Sequence, residues 1–202
     1  MKNILIDCGA HLGQTIDCFK LSNAYKNNKW EIYSFEAIKD LSKIISKKHN
    51  NINVINKAVW ISDGTINFFQ TKIKKNYIKN ENLLHGQGSS IMIEKTSGEL
   101  DKENPINIEC IDLANWIKTN CSIDDNIWLK IDIEGAEYEV LKHLIETNII
   151  TYIKKLFIEF HYEKINLDVN IHNDIKSRIL NYNLDLIEDY IGQKPGDWFN
   201  GL

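Results

Sequence analysis

The stretch Trp128-Leu-Lys-Ile-Asp-Ile-Glu-Gly-Ala-Glu-Tyr-Glu-Val-Leu141 leaves this chain few folds to choose from. An apolar run ends on Asp132 and Glu134, Gly135 turns the backbone, and an amphipathic pattern follows at once. The run suits a strand buried on both faces, the glycine a sharp turn, and the later spacing a helix. A parallel strand and its crossover helix are therefore predicted. Asp132, Glu134 and Glu137 are gathered near the strand's carboxyl edge, where open α/β sheets bind ligands. A second junction of this kind, Ile4-Leu-Ile-Asp-Cys-Gly-Ala-His-Leu-Gly13, opens the sequence.

Apolar runs and helical patterns alternate through the rest. Strands are expected over 3–8, 31–36, 53–56 (continued through 58–60), 107–111, 127–132, 155–161, 184–188 and 198–202. Helices are expected over 13–25, with Ile16, Phe19 and Leu21 inward, and over 38–48, 112–116, 136–145 and 169–181. Asp63-Gly64 is a turn signal, and 65–70 alternates like a hairpin arm. This is the pattern of a doubly wound, mostly parallel α/β sheet covered on both faces. The 202 residues suit one domain, 1–202. The polar segment 71–105 has no strong periodicity and is expected to form a lid-like insertion.

Composition removes several classes. Hydrophobic residues make up 43% and charged residues 26%, a globular balance. A net charge of -4 argues against a general polyanion surface, so nucleic acid is an unfavoured partner. The basic run Lys72-x-Lys74-Lys75-x-Tyr77-x-Lys79 reads as a solvated loop. No apolar run reaches the roughly 18–20 residues of a membrane span, and the N-terminus lacks a signal-peptide layout. Cys8, Cys18, Cys110 and Cys121 are too scattered for a zinc site, and a cytoplasmic location is expected.

Asp7-x-Gly9-x-x-x-Gly13 lies at a strand-to-helix turn, where glycines permit close approach and a helix start offers amides. Glu36 ends the next strand, and a carboxylate there can accept both hydroxyl hydrogens of a ribose. A dinucleotide turn needs glycine where this chain has His11, a side chain that would crowd a pyrophosphate. S-adenosyl-L-methionine carries no phosphate, and the motif favours that methyl donor.

Ile6-Asp-Cys-Gly-Ala-His-Leu-Gly13, Ser34-Phe-Glu-Ala37, Lys57-Ala-Val59, Gly88-Ser-Ser90, Ile111-Asp-Leu113, Leu129-Lys-Ile-Asp-Ile-Glu-Gly-Ala-Glu137 and Ile158-Glu-Phe-His161 resemble, in order, the motifs of FkbM-type methyltransferases. The resemblance runs from about residue 4 to residue 161 and implies a class I, Rossmann-like, seven-stranded enzyme. Such enzymes use S-adenosylmethionine to O-methylate saccharides or related metabolites. It further implies that Asp7, Gly9, Ala10 and Gly13 form the cofactor loop, that Glu36 and Ala37 hold the ribose, and that Ala58 lies by the adenine. Asp132 would sit at the methionine end or the reacting centre. Members often carry helices before the first strand, and a homo-oligomer is one way to cover the acceptor here.

A hydroxyl acceptor needs a base to remove its proton. Asp132, Glu134 and His161 are the catalytic candidates, His161 because an ordinary imidazole titrates near neutrality. Ser89, Ser90 and Lys130 are candidates for substrate contact, although Lys130 could equally neutralise the acidic cluster. Glu137, in the first helical turn, suits a capping role. Asp132, Glu134, Glu159 and His161 could also hold Mg²⁺ or Mn²⁺, a reading left open. Two alternatives stay open as well: ribose methylation of RNA, and a non-catalytic donor-binding module.

Overall fold

The computed structural model describes residues 1–72, 86–188 and 199. Nine strands are found among them: β1 (Asn3–Cys8), β2 (Trp30–Phe35), β3 (Asn53–Ile55), β4 (Ala58–Trp60), β5 (Gly64–Phe68), β6 (Ile106–Asp112), β7 (Asn126–Ile131), β8 (Ile153–Ile158) and β9 (Asp185–Glu188). The helices are α1 (Gln14–Leu21), α2 (Asn23–Lys26), α3 (Lys39–Lys48), α4 (Leu113–Asn120), α5 (Glu137–Glu146) and α6 (Val169–Leu180).

The main sheet has six strands in the order β3-β2-β1-β7-β8-β9. All its pairings are parallel. The expected doubly wound sheet is present, with six strands among the described residues. The other three, β4, β6 and β5, form a separate small sheet with β6 in the middle. The predicted hairpin arm does not fold back on β4. Instead β5 pairs antiparallel with β6 and β4 pairs parallel with it, because the longer β6 offers both its edges. The predicted strand 198–202 lies outside the described residues except for Phe199, as do 73–85 of the expected lid and most of the basic run.

Alternation along β1 sorts its side chains between two cores. Ile4, Ile6 and Cys8 join Leu129 and Ile131 beneath α4, α5 and α6. Helix α5 supplies Val140, Leu141, Leu144 and Ile145 at helical spacing, each side chain contributing roughly 1.5–3 kcal/mol on burial. Leu5, Trp128 and Phe157 face the other way, toward Ile16, Phe19 and Ile45. There the rings of Phe19 and Trp30 pack edge to face with centroids 4.9 Å apart, and Phe199 lies 5.1 Å from Phe19.

The single helix expected over 13–25 is two. Ser22 is extended and accepts a hydrogen bond from the Tyr25 amide, capping α2 and ending α1. Leu21, expected inward, is thereby left 72% exposed. Among the described residues, no helix is long and apolar enough to cross a membrane.

Candidate active site

The strand order reverses between β2-β1 and β1-β7, which opens a crevice at the carboxyl ends of β1 and β7. Register decides what lines it. Phe35, Cys8, Ile131 and Ile158 lie side by side as the last residues of β2, β1, β7 and β8. The residues that follow them, Glu36, Gly9, Asp132 and Glu159, therefore form one rim. A cavity of about 450 Å³ lies over that rim, within the range of about 300–1,000 Å³ usual for small-molecule sites.

Gly9 has φ 80°, and a Cβ there would stand 1.8 Å from the carbonyl oxygen of Asp132. Only glycine lets the first turn pass so close to the second. The amides of this turn are fully engaged. Those of Gly9 and Ala10 donate to the Phe35 carbonyl, that of Gly13 to the Ala10 carbonyl, and that of Leu12 to the Gln14 side chain. The His11 amide donates to Glu36 Oε2 at 2.7 Å, while Ile38 donates to Oε1 at 2.8 Å. The amides of Gly9–Gly13 are thus taken within the fold, ahead of the first residues of α1, Gln14 and Thr15, which line the cavity. Burial raises the Glu36 carboxyl to about 7 against the opposing pull of those two amides.

Beneath the rim, Asp7 and Lys130 are register partners on β1 and β7. The Lys130 ammonium stands 3.3 Å from Asp7 and 3.5 Å from Asp132, and donates to the carbonyls of Gly9 at 2.8 Å and Cys8 at 3.2 Å. It ties the two strand ends together. Burial raises the Asp7 carboxyl despite that cation, and neither of its oxygens accepts a hydrogen bond of good geometry.

On the acidic side, Asp132 projects into the cavity, its carboxylate taking no hydrogen bond from the described residues. Burial raises it to about 6, Lys130 opposing and Glu159 reinforcing the shift. Glu134 has φ 58°, and its carboxylate meets Lys95 Nζ at 2.6 Å. Burial alone would raise Glu134, but His161, Lys95 and Lys164 outweigh it and lower the group. Glu137 is fully buried. It accepts from the Ile133 and Gly135 amides, each at 2.9 Å in its shortest contact, and from His161 Nδ1 at 2.9 Å.

A family model, the methyltransferase FkbM domain, matches residues 7–186. The chain belongs to the FkbM methyltransferase family. A search of curated proteins returned no match. Among solved structures, the crystal structure of methyltransferase FkbM from Methylobacillus flagellatus KT is similar at 16% identity with a TM-score of 0.50. The likeness, which is one of fold, covers 87% of this chain and 37% of that one, so this chain spans well under half the length of that relative. S-adenosylmethionine is the usual cofactor of such a family.

Within this FkbM domain the candidate residues divide into two groups. Gly9, Ala10, Glu36, Ala37 and Ala58 line the cavity from the β1, β2 and β4 elements, and Ser89, Lys130, Asp132 and Glu134 line it as well. Asp7, Gly13, Ser90 and His161 do not line it. Asp7 acts through Lys130, and Gly13 backs onto His49. Both of these serine hydroxyls also hold the chain. Ser90 donates to the Glu134 carbonyl at 2.7 Å, and Ser89 accepts from the Thr71 amide at 3.1 Å.

His161 requires a correction as a base. Burial works against its imidazolium, but the hydrogen bond Nδ1 donates to Glu137, with the Glu159 and Glu134 carboxylates beside the ring, pushes it up to about 10. A ring that already holds its proton cannot take one from an acceptor. Lys95 and Lys164 had no sequence signal, since both fall in polar stretches without periodicity. Lys95 is nevertheless buried, and Lys164 lines the cavity.

Proposed function

We propose that this domain transfers a methyl group from S-adenosylmethionine to a hydroxyl of a saccharide or related small metabolite. The observation that carries the reading is the first turn, where the Gly9–Gly13 amides are engaged while the carboxylate beside them, Glu36, stays in the cavity wall. Such a site suits a nucleoside, whose ribose hydroxyls can donate to Glu36.

The residues present fit that donor. Gly9 and Ala10 would lie along it, Glu36 and Ala37 would hold the ribose, and Ala58, with Val59 and Phe68, would form the apolar wall for the base. Bound there, the donor supplies a methyl carbon on a positively charged sulfur. Asp132, one rim position from Gly9, places negative charge near that sulfonium. Most of the rate then comes from alignment, because methyl transfer is an in-line displacement. Asp132 is also the group placed to accept the hydroxyl proton of the acceptor, with Glu134 and Lys164 bordering the same opening.

Calorimetric titration with S-adenosylmethionine and its demethylated product should show one saturable site per chain. An intact-mass screen of glycans and small polyols should then find an acceptor that gains one methyl group. Donor binding without methylation of any acceptor would reduce the domain to a binding module, and absence of donor binding would end the proposal.

A further inference from the structure

We propose that the pocket wall behind the cavity, formed by His161, Asp132, Glu159 and Glu134, is a binding site for one divalent first-row cation of the Mn²⁺ type. The argument starts from His161, which is 1% exposed. Its Nδ1 is 2.9 Å from the buried carboxylate of Glu137 in a well-formed hydrogen bond. Its Nε2 points into the acidic cluster, is itself buried, and forms no hydrogen bond of acceptable geometry among the described residues. Glu159 Oε1 is only 3.0 Å away, Glu134 Oε2 3.7 Å and Asp132 Oδ1 3.9 Å. An N–H aimed at none of three oxygens this near suits a nitrogen that shares an ion with them.

The spacings agree with that role. Ligands about 2.1 Å from an octahedral ion stand about 3 Å apart when adjacent and about 4.2 Å apart when opposite. The three oxygens lie within those limits from Nε2. Separately, one atom from each of Asp132, Glu137 and His161 lies within 4.8 Å of the others. Glu137 is saturated by two amides and Nδ1, so it is placed as the outer carboxylate that fixes the ring. Metal-bound histidines usually have such a partner on their second nitrogen.

Charge balance points the same way. The carboxylates here are Asp7, Asp132, Glu134, Glu137 and Glu159, and the facing lysines are Lys95, Lys130 and Lys164. An ion bound at Nε2 displaces the ring's proton, which leaves five negative groups facing three positive ones, and a divalent ion makes up the difference. The carboxylates suit Mn²⁺, and the imidazole beside them favours a first-row transition ion over Mg²⁺ or Ca²⁺. What the ion does rests on the function proposed above: beside Asp132 it could lower the pKa of an acceptor hydroxyl.

The test is a Mn²⁺ titration of the full chain, followed by electron paramagnetic resonance of the free ion, without donor or acceptor. One site per chain is expected, weakened at least about tenfold in Glu159→Gln and in His161→Gln. It should be unchanged in Glu109→Gln, whose carboxylate pairs with Lys57 on the small sheet. Should His161→Gln fail to fold, Glu159→Gln decides, since that side chain is 36% exposed. No saturable binding, or equal binding in Glu159→Gln and wild type, would overturn the site. Donor titration of the metal-free chain reads the earlier proposal separately.

Discussion

Replacing Glu36 by Gln keeps the shape of the side chain and removes its charge, which should move donor affinity and stability in opposite directions. In the native site each carboxylate oxygen takes one backbone amide, at 2.7 and 2.8 Å, and keeps a lone pair for a ribose hydroxyl. A hydrogen bond to a charged group contributes about 1.5–3 kcal/mol, so the variant should bind S-adenosylhomocysteine about 10- to 150-fold more weakly at pH 8. Stability without ligand behaves otherwise. Burial raises the folded carboxyl from 4.5 to about 7, so between those values the folded chain binds more protons than the unfolded one. The contribution of Glu36 to stability is thus greatest below pH 4.5 and is lost as pH rises through about 7. The loss amounts to about 3 kcal/mol. Relative to wild type, Glu36→Gln should therefore gain about 3 kcal/mol between pH 4.5 and pH 8, read by urea denaturation at each pH. Calorimetry supplies the affinity. A variant that binds within about twofold of wild type and tracks its stability at every pH would refute both the ribose assignment and the buried-carboxylate argument.

Other positions give sharper yes-or-no outcomes. Gly9→Ala would place a Cβ 1.8 Å from the Asp132 carbonyl at φ 80°, so it should abolish donor binding and lower stability by more than about 1–2 kcal/mol, as seen by thermal melting. Lys95→Met leaves Glu134 without its 2.6 Å partner, and a cost of about 3 kcal/mol should appear in urea denaturation. Asp112→Ala removes the cap that accepts the Asn115 amide and also its contact with His143, so about 1–2 kcal/mol should be lost with donor affinity unchanged. Leu141→Ala empties a fully buried position on α5 and should cost about 2–5 kcal/mol by the same measure.

The rim was legible because it depends on strand ends, and strand ends carry the strongest local signals. The apolar run through Ile131 and the glycine after Glu134 place Asp132 at an edge before any contact is known. The first junction does the same for Gly9, and parallel register then makes them neighbours. Where side chains turn is decided by tertiary packing, and there the sequence was mute. Ser89 and Ser90 looked like free hydroxyls, yet Ser90 both donates and accepts in holding the loop, and Ser89 accepts a backbone amide. His161 looked like a free imidazole, but its ring is held by Glu137, which reaches it from the start of α5. The small sheet was hidden for a related reason. Strands β4 and β5 each find their partner in β6, about forty to fifty residues on, and no local pattern records so distant a pairing.

A crystal structure of the chain with S-adenosylhomocysteine tests the central claim most directly. The ribose hydroxyls should lie within hydrogen-bond reach of Glu36, the adenine against Ala58 and Val59, and the sulfur on the Asp132 side of Gly9. A nucleoside bound away from the β1–β7 crevice, or lying in it with its ribose turned from Glu36, would contradict the account.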